Sequence, residues 1–388
     1  MLTIMDSARV KELALEAGFD LVCIAGVEPF ERERQALAHR IDAGLFDGLP
    51  WFTRARAEVA SNPRALLPEA KSIISLGLCY DTGEGPAGVI ARYAWGQDYH
   101  EVIRARLKTL QRRLAEELGE FEFRTFVDTG RIVDRAAAVR AGLGWYGKNT
   151  NLLNTTFGSW LFLAELVTTL ELEPDAPRRQ NCGQCHACLD VCPTGAIVAP
   201  YVVDNNRCIS FLTIELRGPI PRDLRPKLGG YIFGCDLCQD VCPVNAQAQP
   251  VYHAEFAFAS QSPLPPIRRP QDRERARVRE PRLSLRDLAD LLKLDEDEFR
   301  QRFRHSAIMR TQRRGLLRNV CVALGNSGSP AAVRPLTEAL LHDPEPLVRG
   351  HAAWALGQLG ASETLDQARQ SETDPYVREE IELAHTAH

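Results

Sequence analysis

The segment CGQCHACLDVCP, residues 182–193, limits what this chain can fold into more than any other. Its cysteines, Cys182, Cys185, Cys188 and Cys192, are spaced C-x2-C-x2-C-x3-C, and Pro193 closes the run. Three thiolates so placed grip one [4Fe–4S] cluster, while the fourth reaches a neighbouring one. The spacing therefore predicts a second ligand set, and CDLCQDVCP at 235–243 supplies Cys235, Cys238 and Cys242, followed by Pro243. A complete second run would begin at Ile232, so one ligand is missing; Cys208, alone in RCISFL, stands in for it. The crossover then assigns Cys182, Cys185, Cys188 and Cys242 to cluster one, and Cys192, Cys208, Cys235 and Cys238 to cluster two. Zinc sites also use C-x2-C pairs, but two C-x3-C-P endings belong to cluster crossover. Disulfide frameworks suit small secreted domains, and a 388-residue chain with no signal-peptide core in MLTIMDSARVKELALEAGF is expected to be neither.

A chain of this length has room for two or three cores. The longest apolar stretch, WLFLAELV at 160–167, is too short for a membrane span and suits a buried strand. A cytoplasmic protein with reduced thiols is the expectation. Cys23, Cys79 and Cys321 lie in apolar contexts and read as small core residues. The net charge of −4 hides an asymmetry: between Phe299 and Val320 there are seven arginines, one histidine and no acid. Such a run is either a helix face with partners elsewhere in the fold or a phosphate-binding surface, and the lack of any local acid favours the second.

The organisation changes along the chain. KSIISLGLCY at 71–80 reads as a buried strand, YHEVIRARLKTLQRRLAEEL at 99–118 as an amphipathic helix, FEFRTFVDTG as a strand, and RIVDRAAAVRAG as a helix stopping at the glycines of GLGWYGKN. This mixture predicts an α/β or α+β domain over residues 1–170. The cysteine-rich, ferredoxin-like module follows at 171–255, and SPLPPIRRP near 262–270 is a candidate linker within a connecting segment at 256–298. In the tail, 299–388, ALGNSG at 323–328 recurs as ALGQLG at 355–360, and DPEPLVR at 343–349 recurs in shortened form as DPYVR at 374–378. That period indicates paired helices in a short HEAT-like solenoid. Clusters beside a second domain usually exist to pass it electrons.

RYAWGQDYHEVIRARL at 92–107, VDTGRIVDRAAAVRAGLGWYGKNTNLL at 127–153, the two cysteine runs, CISFLTIELRGPIP at 208–221 and GLLRNVCVALGNSG at 315–328 together resemble the epoxyqueuosine reductase family, in that family's order and through nearly the whole chain. The resemblance implies a multidomain α+β protein with an α/β cobalamin-binding domain, two [4Fe–4S] clusters and C-terminal HEAT-like repeats. It implies reduction of epoxyqueuosine at the wobble position of tRNAs with GUN anticodons (those for Asp, Asn, His and Tyr), with electrons from a cellular donor. Asp134 matches the family's proton-donor position; read without the match, it is a helix-end aspartate paired with Arg131 or Arg135. Gln97, His100, Trp145, Lys148, Asn149 and Ser210, with Asp134, are the implied cobalamin-pocket residues. Asp98-Tyr99-His100 approaches the D-x-H-x-x-G cobalamin signature, but Ile103 stands where glycine is required, so a histidine-ligated cobalt is not expected. Ala307 stands where the family often has proline. Arg310, Arg313, Arg314 and Arg318 are the candidates for tRNA phosphate contacts, which position rather than specify.

Two other classes remain open at this point. A cobalamin-dependent reductase of small organohalides would share the clusters but lack the repeats. A ferredoxin-type scaffold would dock a partner protein and bind no cobalamin.

Overall fold

The computed structural model describes residues 7–83, 89–257 and 283–386; the SPLPPIRRP segment lies outside them. The N-terminal part is built on a four-stranded sheet in the order β1 (Leu21–Ala25), β2 (Ser72–Cys79), β6 (Leu161–Thr168) and β3 (Phe123–Val127), with every pairing antiparallel. This places the domain on the α+β side of the expectation. All eight residues of β2 are buried, as a central strand rich in Ile and Leu and covered on both faces requires.

Alternate residues along the strands serve different layers. Ile74, Leu76, Leu78, Ala164 and Leu166 face a core closed by α5 (Tyr99–Leu118), which buries Val102, Ile103, Leu107, Leu110 and Leu114. Asp98 starts that helix by accepting the backbone N–H of His100. The other face, with Ala25, Ile73 and Val167, is covered by α6 (Asp134–Ala141) through Ala136, Ala137, Ala138 and Ala141. Alanines let this short helix lie close to the sheet. The remaining helices of this part, α1 (Ser7–Glu16), α2 (Glu31–Asp42), α3 (Arg54–Ala60) and α4 (Pro63–Leu66), complete its rim, and two short strands, β4 (Trp145–Tyr146) and β5 (Leu152–Leu153), pair beyond α6.

The cysteine-rich module contains α7 (Ala187–Val191), the β7–β8 pair (Ile197–Ala199 with Val202–Val203), α8 (Ile209–Ile214) and α9 (Leu237–Asp240). It is clasped to the first part rather than tethered. Ile90 bridges Phe233, and the Ile232 N–H donates to the Val89 carbonyl at 2.9 Å. Arg92 pairs with Asp240 at 2.5 Å while its guanidinium lies 4.3 Å from the Trp160 ring centroid.

In the tail, the helices Gln312–Asn326, Pro346–Gln358 and Pro375–His385 stack in one row, with Val333–His342 and Ser362–Ser371 alongside. The ALG repeat has a packing cause. A Cβ on Gly325 would meet Ala355 at 2.8 Å, and one on Gly357 would meet Ala384 at 2.8 Å, so each repeat's glycine is where successive helices touch. Arg225 and the buried Glu380 form a two-pronged pair at 2.8 and 2.6 Å, which fastens the last helix to the cluster module. Cys79 and Cys321 are buried as expected, and Cys23 is partly so.

Candidate functional site

The eight expected cluster ligands gather into two groups. Burial, then charge on Cys182, Cys242 and Cys185, raises the pKa of Cys188. Burial, then charge on Cys208, Asp236, Cys188 and Cys192, does the same for Cys238. Cys235 responds to Cys238 and Cys208, and Cys208 to Cys192. The charges each thiol feels follow the expected sets, except that Cys238 also feels Cys188, so the two groups lie near one another. Backbone amides turn toward the sulfurs, as cluster potentials require: Ala196 N–H reaches Cys192 Sγ at 3.3 Å, and the Ser210 and Phe211 amides at the start of α8 face Cys208. Among the described residues no three ligands converge at the spacing of a single metal ion. The residues fit two clusters.

The loop GLGWYGKN backs these loops. Lys148 Nζ donates to the carbonyls of Gly183 at 2.8 Å and Cys185 at 2.9 Å, and Asn149 donates to the Cys238 carbonyl at 3.2 Å. Gly147, Lys148 and Asn149 also line a hollow with Cys182, Cys185, Cys188 and Cys242. Lys148 and Asn149, expected at the cobalamin pocket, bond through their side chains to the loops that carry the cluster cysteines.

Asp134 opens α6 at the end of a loop that leaves β3. The Arg135 backbone N–H donates to its Oδ1 at 2.7 Å, so the expected pairing with an arginine side chain is replaced by a backbone bond. Burial pushes the Asp134 carboxyl above the ordinary carboxylate range; Arg135 works against this shift and Asp128 adds to it. Asp128 begins the same loop, with a φ of 45° that few side chains adopt. It accepts from the Tyr99 hydroxyl at 2.5 Å and from Arg310 at 3.2 Å. Arg310 also pairs with Glu215, just past α8, at 2.6 Å. One guanidinium thus joins the Asp134 loop, the helix that follows Cys208 and the start of the tail.

His100 sits in the same group, its Nδ1 3.0 Å from Asp98 and its ring stacked on Tyr99. Its Nε2 is buried without a hydrogen-bond partner among the described residues, as is Trp145 Nε1. Buried ring nitrogens normally find partners, so these two suit a polar-rimmed cofactor such as cobalamin. Gln97 is fixed at its backbone by the Glu255 carbonyl at 2.7 Å, and Ser210 occupies the second position of α8.

The arginine run does not form one surface. Arg313 is buried against Asp343, at 3.2 and 2.6 Å, and the Leu294 carbonyl. Arg318 has no exposed surface and donates to the carbonyls of Leu212, Leu216 and Gly218 at 2.6 to 2.9 Å. Both are corrected from phosphate contacts to internal ties between the tail and neighbouring segments. Breaking a buried pair such as Arg313–Asp343 strands a charge, at a cost of about 3–5 kcal/mol. Of the four arginines, Arg310 is held by two carboxylates, and Arg314 is half-buried and bonds to Gln312.

Sequence reasoning missed Asp128 and Glu165. Glu165, in the middle of β6, is fully buried. Its signal was visible, since it is the one acid in WLFLAELV. Asp128 had only its place in VDTG.

Two cluster-type thiol sets, set against an antiparallel sheet with a half-buried acid at one helix start and followed by helical repeats, define an iron–sulfur oxidoreductase. A family model described as a 4Fe–4S double cluster binding domain matches residues 181–245, one for epoxyqueuosine reductase QueG matches 61–129, and one for HEAT repeats matches 302–384. The epoxyqueuosine reductase of Xanthomonas campestris is 39% identical over 91% of this chain and 96% of its own length, and that of Escherichia coli is 37% identical over 90% and 88%. An epoxyqueuosine reductase solved with a tRNA-Tyr epoxyqueuosine-modified stem loop superposes with a TM-score of 0.84 at 32% identity, covering 97% of both chains. A Bacillus subtilis relative, with its catalytic loop swung out of the active site, gives 0.81 at 31%, again over 97% of both. The chain belongs to the epoxyqueuosine reductase family. Among the described residues no helix is long and apolar enough to cross a membrane.

Proposed function

We infer that this chain reduces epoxyqueuosine to queuosine at the wobble position of tRNA, with residues 1–170 holding cobalamin and the reacting nucleoside, 171–255 relaying electrons, 256–298 connecting, and 299–388 supporting the tRNA. The observation that carries this reading is the junction at Arg310, which brings the Asp134 loop, the helix after Cys208 and the repeat tail to one place. The family relation supplies the substrate.

Epoxide removal takes up two electrons and two protons and releases water. The two clusters and cobalamin, when bound, would supply the electrons. The chain's own task is acid catalysis. Asp134 donates to the epoxide oxygen, and its raised pKa keeps a larger protonated fraction near neutrality than an exposed aspartate would have. The anion left after donation is held by the Arg135 N–H. His100 and Trp145 would offer ring nitrogens that make no hydrogen bond among the described residues, and Gln97 and Ser210 are the further candidates for the cofactor. The wobble nucleotide must leave its stack to reach Asp134. The substrates are the GUN-anticodon tRNAs for Asp, Asn, His and Tyr, met in the cytoplasm, and a cellular reductant feeds the clusters.

Arg314 is the surviving phosphate candidate. Arg314→Ala should weaken binding of an epoxyqueuosine stem loop and reduce the slope of log affinity against log salt by about one. Unchanged affinity and slope in a salt titration would remove the tail's arginine from the interface.

A further inference from the structure

A row of side chains crosses the sheet beneath α6. Register pairs Cys23 of β1 with Ser75 of β2, Ser75 with Glu165 of β6, and Glu165 with Phe126 of β3. Their strand neighbours two residues on, Ala25, Ile73 and Val167, form the layer packed on α6, so the row faces that helix. On α6, Asp134 precedes Ala137, Ala138 and Ala141 by three, four and seven residues, which sets its side chain on the stripe that meets the sheet. Glu165 has no exposed surface, and neither carboxyl oxygen makes a hydrogen bond of good geometry among the described residues; the Ser75 hydroxyl, its register partner on β2, is the polar group beside it. An ionised carboxylate in such a place would be very costly. Burial, then the charge of Asp134, pushes the Glu165 pKa well above the carboxylate range. A protonated acid whose one polar neighbour is a serine hydroxyl is a poor structural element and a good proton store.

We propose that Glu165 is a positioning residue for Asp134 and its proton reserve, relayed by the Ser75 hydroxyl. The inference rests on the epoxide-reducing reading. Asp134 gives one proton to the epoxide oxygen. Glu165 passes its own proton to the Asp134 carboxylate, which then gives the second, so that the oxygen departs as water with the two electrons delivered through the clusters. Asp134 and Glu165, both left as carboxylates, each recover a proton from solvent after product release. The titratable groups facing Glu165 are Asp134 from α6 and Cys23 from β1; β2 presents Ser75 and β3 presents Phe126.

Glu165→Gln keeps shape and neutrality and removes only the transferable proton. In the cluster-loaded, cobalamin-loaded enzyme it should lower kcat about 10²-fold, with KM for modified tRNA unchanged and the alkaline limb of the pH profile moved to lower pH. Infrared difference spectra of the protein without tRNA should show a protonated-carboxyl band at neutral pH that E165Q lacks. Wild-type kcat and pH profile in E165Q, or absence of that band from the wild type, would overturn the proposal. If E165Q does not fold, Ser75→Ala decides: a lower kcat with a larger solvent isotope effect supports the relay, and wild-type values for both refute it. Inactivity of the wild type itself would instead strike the substrate reading.

Discussion

Asp134→Asn is expected to lower turnover by about 10²–10⁴-fold, the range a single general acid contributes. The asparagine amide oxygen can still accept the Arg135 N–H that now binds Oδ1, so the helix start is preserved and only the proton is lost. Iron content and tRNA affinity should stay at wild-type values. The pH dependence has a definite sign. The carboxyl is active when protonated, and burial raises its pKa, so the rate should fall as pH rises, with the wild-type decline lying above the range of an ordinary aspartate. Single-turnover rates measured across pH check both points. A D134N enzyme as fast as the wild type would place the acid elsewhere, and Glu165 would be the first residue to examine.

Cys208→Ala should remove cluster two and with it all multiple turnover. Iron should fall from about eight to about four atoms per chain, as expected when one of two cubane clusters is lost. The thiol sits behind amides at the start of α8 and responds to Cys192, so no other described side chain takes its place in that set. Cys242→Ala should spare cluster two and cost cluster one, because Cys242 groups with Cys182, Cys185 and Cys188. Equal iron loss from both variants, measured beside their electron paramagnetic resonance spectra, would contradict the crossed pairing.

What the sequence disclosed depended on whether the cause was local. The Tyr99–Leu118 helix and the strands within 71–80 and 160–167 follow from spacing and β-branched content, and they occur where expected. The double-cluster module was legible because thiolate spacing is itself geometry. The arginines were not. An acid-free run gives the charge of a segment but not its partners. Arg318 bonds carbonyls about a hundred residues earlier, and Arg313 meets Asp343 thirty residues later, so both fall inward although their surroundings in sequence looked like a surface. GLGWYGKN has ties that its sequence did not disclose: Lys148 and Asn149 are drawn to carbonyls of loops far along the chain. Glu165 was the reverse case, a local anomaly in an apolar strand whose meaning required knowing that α6 lies over it.

The measurement that tests the central claim most directly is nucleoside mass analysis after anaerobic incubation of the cluster-loaded protein with cobalamin, a strong reductant and epoxyqueuosine-bearing tRNA. The account predicts that the wobble nucleoside loses the mass of one oxygen atom and that the loss disappears in Asp134→Asn. An unchanged nucleoside, with both clusters, cobalamin and tRNA demonstrably bound, would contradict it.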